Sequence, residues 1–140
     1  MQIASLEQQT VLEELEEKME RHAKYRGMEK SKRWQAHFLY VYAEVLLRQA
    51  QLYELNRAIG VARLNKLPDL DPKRHQGWQL APTDKIDAAD KLADRFVAKG
   101  QRGFKMLDQI VKEHPDTPWA LLSSGQRRIR LGLTWEPWNK

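Results

Sequence analysis

One stretch constrains the fold of this chain more than any other, the segment from Ser31 to Leu67. Apolar residues recur in it at steps of three and four, with one gap that Arg48 fills, at Trp34, Phe38, Val41, Val45, Leu52, Leu55, Ile59 and Ala62. That spacing is the period of an α-helix and not the period of two that marks a strand. Ser31 can cap the first turn, and Pro68 disfavours a helical residue before it. The sequence therefore predicts one long helix over residues 31–67.

A second apolar row widens the stripe of this helix. The row consists of Leu39, Tyr42, Leu46 and Tyr53. A stripe of that width suggests contact with more than one neighbouring helix. We therefore expect one row to cover the long antiparallel helix of the same chain, and the other row to contact either the first helix or a partner chain, which makes it a candidate interface.

Tryptophan is abundant, with five in the chain. Core packing is the interpretation for Trp34, Trp78 and Trp119. Trp135 and Trp138 stand at the end of the chain and are candidate interface residues, because tryptophan is enriched at the energetic centres of protein interfaces.

Three further helices follow from capping signals and helical spacing. Ser5 and Gln8 have the spacing of a capping box, Thr83 precedes an apolar-periodic run, and Thr117-Pro118 is a typical helix start. The predicted fold class is all-α, an elongated bundle of about four helices at residues 5–26, 31–67, 84–113 and 118–131. We expect a single helical domain over residues 1–140, either complete or a fragment of a longer chain.

The connection over residues 67–83 contains three prolines and a glycine, which exclude a regular helix. We predict an ordered 17-residue loop, anchored by Trp78, between two long antiparallel helices. The tail LTWEPWNK is predicted to be too short for an element of its own.

Composition excludes several classes of protein. The chain has no cysteine, so it has no disulfide framework, thiol nucleophile or cysteine metal site. It has no apolar run of the length that spans a membrane. Net charge is +5, but residues 1–30 carry seven acidic and five basic groups while residues 31–66 carry two and six. Part of the positive charge is therefore expected to pair internally. The sequence leaves the cellular compartment open.

Candidate catalytic and metal-binding residues are few. Asp69, Asp71 and His75 could bind a divalent cation, although Asp-x-Asp before proline is more typical of turn hydrogen bonding. The glutamates of the first helix are interpreted as a solvated face; they are Glu13, Glu14, Glu16, Glu17 and Glu20. No phosphate-binding loop or nucleophile elbow is present. The sequence therefore predicts a protein without catalytic residues, metal or cofactor.

Two basic clusters keep nucleic-acid binding open as an alternative. They are Lys30, Lys32 and Arg33, beside Trp34, and Arg127, Arg128 and Arg130. Such side chains can contact phosphates, but no recognised nucleic-acid-binding motif accompanies them.

Three segments carry a resemblance: LPDLDPKRHQGWQLA, EHPDTPWALL and LGLTWEPW. They are similar to the helical C-terminal region of a group of large bacterial proteins of uncharacterised function, some with von Willebrand factor A-type modules. HPDTPWA alone resembles the turn of tetratricopeptide-like repeats, but no second copy of a repeat is present. The resemblance implies a helical module of a larger protein and no catalytic residues.

Together these observations predict a non-catalytic helical protein-interaction or scaffold module of a larger bacterial protein or assembly. We expect a protein partner or self-association through the first or second helix. A basic nucleic-acid-binding protein is the alternative, and a metal-binding enzyme domain is the third hypothesis.

Overall fold

The computed structural model describes residues 2–87 and 90–139, with side chains described from residue 5 onward. Its elements are listed here in chain order: α1 Gln2–Ala23, α2 Lys32–Arg63, β1 His75–Thr83, α3 Lys91–Glu113, α4 Pro118–Gln126 and β2 Gly132–Asn139. A single 3-10 turn, Arg26–Met28, lies between α1 and α2. Within the described residues, no helix is long and apolar enough to cross a membrane.

The central helix α2 begins where the sequence predicts and ends earlier. The Ser31 side chain accepts a hydrogen bond from the Trp34 backbone N–H, so Ser31 is the N-cap. At the other end Asn65 takes a left-handed φ of 53°, and the N–H groups of Asn65 and Lys66 bond to carbonyls of the last turn. This arrangement is the Schellman motif, which terminates the helix before Pro68 has any effect.

Helices α2 and α3 pack closely and in opposite directions. Tyr53 stacks on Phe96 near one end, with ring centroids 4.5 Å apart. Further along, a Cβ on Gly103 would lie 2.9 Å from Leu47 Cγ and 3.2 Å from the Ala43 carbonyl oxygen. Glycine is therefore required at position 103, because any side chain there would push the two helices apart.

The prediction of an all-α fold is wrong, because β1 and β2 form a two-stranded antiparallel sheet. Strand β1 occupies half of the predicted loop. Strand β2 occupies the tail that was predicted to be too short for an element of its own. Paired residues share a face of a sheet, and the pairs on one face are Trp78 with Pro137, Leu80 with Trp135, and Pro82 with Leu133. The alternation in LTWEPW is the strand signal, but each strand needs a partner more than 40 residues away.

The boundaries of three helices also differ from the prediction. Helix α1 begins before Ser5, whose hydroxyl donates to Asn56 Oδ1 instead of capping a helix. Helix α3 is capped by Asp90 and not by Thr83, which is paired with Gly132 in the sheet. Residues 84–87 are not helical, and residues 88–89 of the predicted helix lie outside the described residues. Helix α4 ends at Gln126.

Candidate functional site

The second row of α2 is not an exposed interface. Leu39, Tyr42 and Leu46 are buried in the core, and Tyr53 is half-buried against Phe96. The Tyr42 hydroxyl accepts a hydrogen bond from Arg102, and burial raises the pKa of Tyr42 to about 12. The second row of α2 is therefore covered within the chain, whereas the first row contains the buried Val45 and the exposed Trp34 and Leu55.

The tryptophans are also distributed differently from the prediction. Trp34, assigned to the core, is 60% exposed. Trp78 is 41% exposed and its indole N–H donates to the Pro68 carbonyl, so it ties the loop to the sheet. Trp135 is half-buried and donates to the Ala58 carbonyl at the end of α2, whereas Trp138 is 53% exposed.

The two basic clusters occupy different parts of the molecule. Arg127 pairs with Asp108 at 3.0 Å and Arg130 pairs with Asp84 at 3.1 Å, so this cluster is largely neutralised. Arg128 is exposed beside them. The other cluster, Lys30, Lys32 and Arg33, lies at the joint between α1 and α2. The structure does not combine them into one basic patch.

The glutamates of α1 divide between solvent and α3. Three of them face basic residues of α3, namely Glu13 with Arg95, Glu16 with Lys99 and Glu20 with Arg102. From one ion pair to the next, the position advances by about one helical turn towards the C-terminus on both helices. Helices α1 and α3 therefore run parallel. The acidic side chains of α1 therefore form ion pairs within the chain, but with basic residues of α3 and not of α2.

The innermost of these pairs belongs to a polar cluster. Lys99 Nζ lies 2.5 Å from Glu16 Oε2 and 2.6 Å from Gln49 Oε1, and Gln49 is fully buried. Burial raises the pKa of Glu16, but hydrogen bonds from Lys99 and Gln49 outweigh it and hold the pKa below its ordinary value. The cluster has a structural explanation, since every charge in it has a partner.

A second buried ion pair attaches the sheet to the helices. Glu54 is fully buried and accepts hydrogen bonds from Arg57 at 2.8 and 2.7 Å. Glu54 Oε1 also accepts from the Leu133 N–H, and Arg57 donates to the Leu133 carbonyl. We call Glu54 and Arg57 the strand clamp, because together they hold both backbone groups of one residue in β2.

The residues weighed as a candidate cation site form the hydrogen bonds of a turn. His75 Nδ1 accepts from the Asp71 N–H at 2.9 Å, and Asp71 Oδ1 accepts from the Lys73 N–H at 2.9 Å. Asp69 is exposed nearby. Among the described residues, no group of three histidines or carboxylates is placed to hold a metal ion.

An apolar groove lies at the joint between α1 and α2, with a volume of about 400 Å³. We call it the joint groove, and its walls are Met19, His22, Tyr25, Arg26, Glu29, Trp34, Gln35, His37, Phe38 and Val41. Three large apolar side chains at or beside it are open to solvent: Tyr25 at 53%, Met28 at 75% and Trp34 at 60% exposure. Sequence reasoning missed this site, because its residues are divided between two helices and the turn that joins them.

Contacts with the rest of the bundle hold the joint groove in place. Arg26 Nη2 lies 2.5 Å from Glu113 Oε2, which ties the turn to the end of α3. The hydrogen bonds of Glu113 to Gln109 and Arg26 lower the pKa of that carboxyl below its ordinary value. The His37 ring packs edge-on against Trp34 and Trp119, with centroids 5.6 and 4.8 Å away. The exposed aromatics therefore project from a braced surface.

The surroundings of the joint groove are strongly basic. Seven basic and two acidic side chains occur between residues 18 and 33. Of the two acidic groups, Glu20 is paired with Arg102, and Glu29 Oε1 accepts from the Ser31 N–H. An apolar groove with a cationic rim can bind an apolar side chain and attract an acidic partner.

No protein-family model matches the chain. Comparison with curated proteins and with solved structures finds no significant match.

Proposed function

We propose that this chain is a non-catalytic helical module that binds another protein through the joint groove. The observation that carries the proposal is the exposure of Tyr25, Met28 and Trp34 around one apolar groove. Large apolar side chains clustered at one end of a protein are typical of protein-interaction sites. Tryptophan and tyrosine are also the residues that contribute most at such sites.

The occupant that fits best is a protein segment with a bulky apolar residue. A groove of about 400 Å³ accommodates a few such side chains, and its walls are mainly carbon. The resemblance of roughly residues 40–140 to a region of large bacterial proteins supports the further proposal that the module belongs to a larger protein or assembly.

The test uses random peptides displayed on phage and selected on the intact chain. Trp34→Ser should weaken the selected peptides by about 30-fold, since a central interface tryptophan contributes about 2 kcal/mol or more. Trp138→Ser is the matched control, because Trp138 has similar exposure on β2, far along the chain. Equal loss in both variants, or no loss in either, would contradict the proposal. Equal loss would instead indicate general surface stickiness.

Self-association and nucleic-acid binding are separated by two further measurements. Light scattering as a function of concentration shows whether a second copy occupies the groove; in that case Trp34→Ser should shift the dimer towards monomer. Nucleic-acid binding is favoured by Lys30, Lys32 and Arg33 beside the exposed Trp34. Anisotropy with random DNA and RNA at low and high salt tests it, and strongly salt-dependent binding would favour that function over protein binding.

A further inference from the structure

Unpaired cations surround the joint groove. Six exposed basic side chains between residues 17 and 33 form no ion pair within the described part of the chain, and we call them the cationic rim: Lys18, Arg21, Lys24, Lys30, Lys32 and Arg33. Arg26, the seventh basic residue of this stretch, is paired with Glu113. The occupant that this charge selects rests on the proposed function, because the cationic rim belongs to the same groove.

Few acidic side chains offset the cationic rim. Glu20 is paired with Arg102, so the same stretch keeps only Glu17 and Glu29 as exposed acidic groups without an ion pair among the described residues. Asp116, on the turn between α3 and α4, is not among the groove walls. Six unpaired cations and two unpaired anions leave a net charge of +4 around the groove.

The cationic rim flanks the exposed aromatic side chains on both helices. Lys24 Nζ lies 5.0 Å from the centroid of the Tyr25 ring on the α1 side, and Arg33 directly precedes Trp34 on the α2 side. Tyr25 and Trp34 are walls of the groove. An apolar residue that enters the groove therefore has its own neighbours in sequence close to cations. An apolar centre with a charged border is the usual arrangement of a protein interface.

We infer that the joint groove binds an acidic protein segment, in which a bulky apolar residue enters the groove and Asp or Glu residues beside it face the cationic rim. Burial of the apolar residue supplies most of the affinity. Opposite charges across the border raise the rate of association and select against basic segments.

Two other occupants match the groove less well. A nucleic-acid strand brings closely spaced phosphates, which suit an uninterrupted line of cations, but the exposed Glu29 is itself a wall of this groove. A second copy that docked the same surface about a two-fold axis would bring two cationic rims together, and like charges across an interface oppose association. A separate acidic segment avoids both costs.

The composition of the peptides retained in the phage selection is the first test. Peptides whose binding is lost in Trp34→Ser should carry a bulky apolar residue flanked by Asp or Glu, and their mean net charge should be more negative than that of the unselected library. Groove-binding peptides with neutral or basic flanks would overturn this inference and leave the proposed function standing. A selection without any peptide that depends on Trp34 would overturn both.

The electrostatic contribution is then measured on the tightest selected peptide, labelled with fluorescein, by anisotropy with the intact chain. At about 50 mM NaCl, replacement of its Asp and Glu residues by Asn and Gln should weaken binding about tenfold. At about 500 mM NaCl most of that difference should disappear, because salt screens exposed charges. Equal affinity of the acidic and neutral peptides at low salt would contradict the inference.

A pair of double variants locates the effect on the protein. Lys24→Gln with Arg33→Gln should weaken the acidic peptide about three- to tenfold at low salt and change binding of the neutral peptide by less than about twofold, since one exposed pair contributes up to about fivefold. The matched control is Arg63→Gln with Lys66→Gln, which removes one arginine and one lysine at the opposite end of α2, about 45 Å away. Equal weakening by the two double variants would mean general attraction to a basic protein and would sink the inference. Random single-stranded DNA that binds more tightly than the acidic peptide, and loses binding in the first double variant, would replace the acidic segment by nucleic acid.

Discussion

The attachment of the sheet to the helices should depend on the strand clamp. Arg57→Met would remove the bonds from Arg57 to Glu54 and to the Leu133 carbonyl, while keeping a side chain of similar length. The fully buried Glu54 carboxylate would keep the Leu133 N–H as its backbone donor. Its charge would then be buried without a cationic partner in contact.

The magnitude follows from that unpaired charge. Breaking a buried ion pair from one side costs about 3–5 kcal/mol in the free energy of unfolding. In the double variant Glu54→Gln with Arg57→Met, a neutral amide can still accept from the Leu133 N–H and no charge is buried. We expect the double variant to be more stable than Arg57→Met alone by about 2 kcal/mol, because it removes the buried unpaired charge and the effects of residues in contact are not additive.

Urea unfolding followed by circular dichroism measures these differences. With a slope of about 2 kcal/mol per M, Arg57→Met should lower the unfolding midpoint by about 2 M. The matched control is Arg48→Met on the same helix, where the arginine side chain is 63% exposed and lies 3.7 Å from Glu44. Because the Arg48 side chain of this pair is mostly in solvent and Glu44 is only partly buried, the pair should contribute less than about 1 kcal/mol. The reasoning is refuted if Arg57→Met costs no more than the control, or if the double variant is less stable than Arg57→Met alone.

Three other predictions concern packing, the polar cluster and pH. In urea unfolding, Gly132→Ala should lower the free energy of unfolding by at least about 1–3 kcal/mol, because its Cβ would lie 2.0 Å from the Lys85 carbonyl oxygen. The control is Gly125→Ala, whose Cβ would have no atom within 4 Å. It should be neutral or stabilising by up to about 1 kcal/mol. Lys99→Met should cost about 3 kcal/mol in the same assay, because it leaves the largely buried Glu16 carboxylate without its cation, and a cost near zero would contradict the assigned pairing. The folded-state pKa values of His114 and Glu16 both lie below their ordinary values of 6.5 and 4.5, so protonation favours the unfolded chain. The contribution of these two groups to stability is therefore fully present above about pH 6.5. In thermal melts from pH 7.5 to pH 4, the melting temperature should fall first as His114 is protonated and then as Glu16 is protonated. A melting temperature that rises on acidification would contradict this prediction.

The helices were predictable because their signals are local. The α2 stripe and the caps at Ser31 and Thr117 can each be found within a few neighbouring residues, and the structure contains both caps. The end of α2 was mispredicted because Asn65 in a left-handed conformation stops the helix before Pro68.

The candidate site was only partly predictable. The cluster Lys30, Lys32 and Arg33 and the abundance of tryptophan were visible in the sequence. Which tryptophan is exposed was not, since Trp34 has the same helical spacing as residues that are buried. Helical spacing identifies a common stripe, but whether one end of that stripe is covered depends on where the neighbouring helices stop.

The sequence by itself determined the helical elements, the absence of cysteine chemistry and the uneven charge, because each depends on residue type and short-range spacing. Only the tertiary structure decided that β1 pairs with β2, that α1 pairs its glutamates with α3, and that the second apolar row of α2 is covered within the chain. It also decided that the joint groove exists. The sheet pairing and the ion pairs between α1 and α3 join residues far apart in the chain, and such contacts are selected by packing over the whole molecule and not by any local pattern.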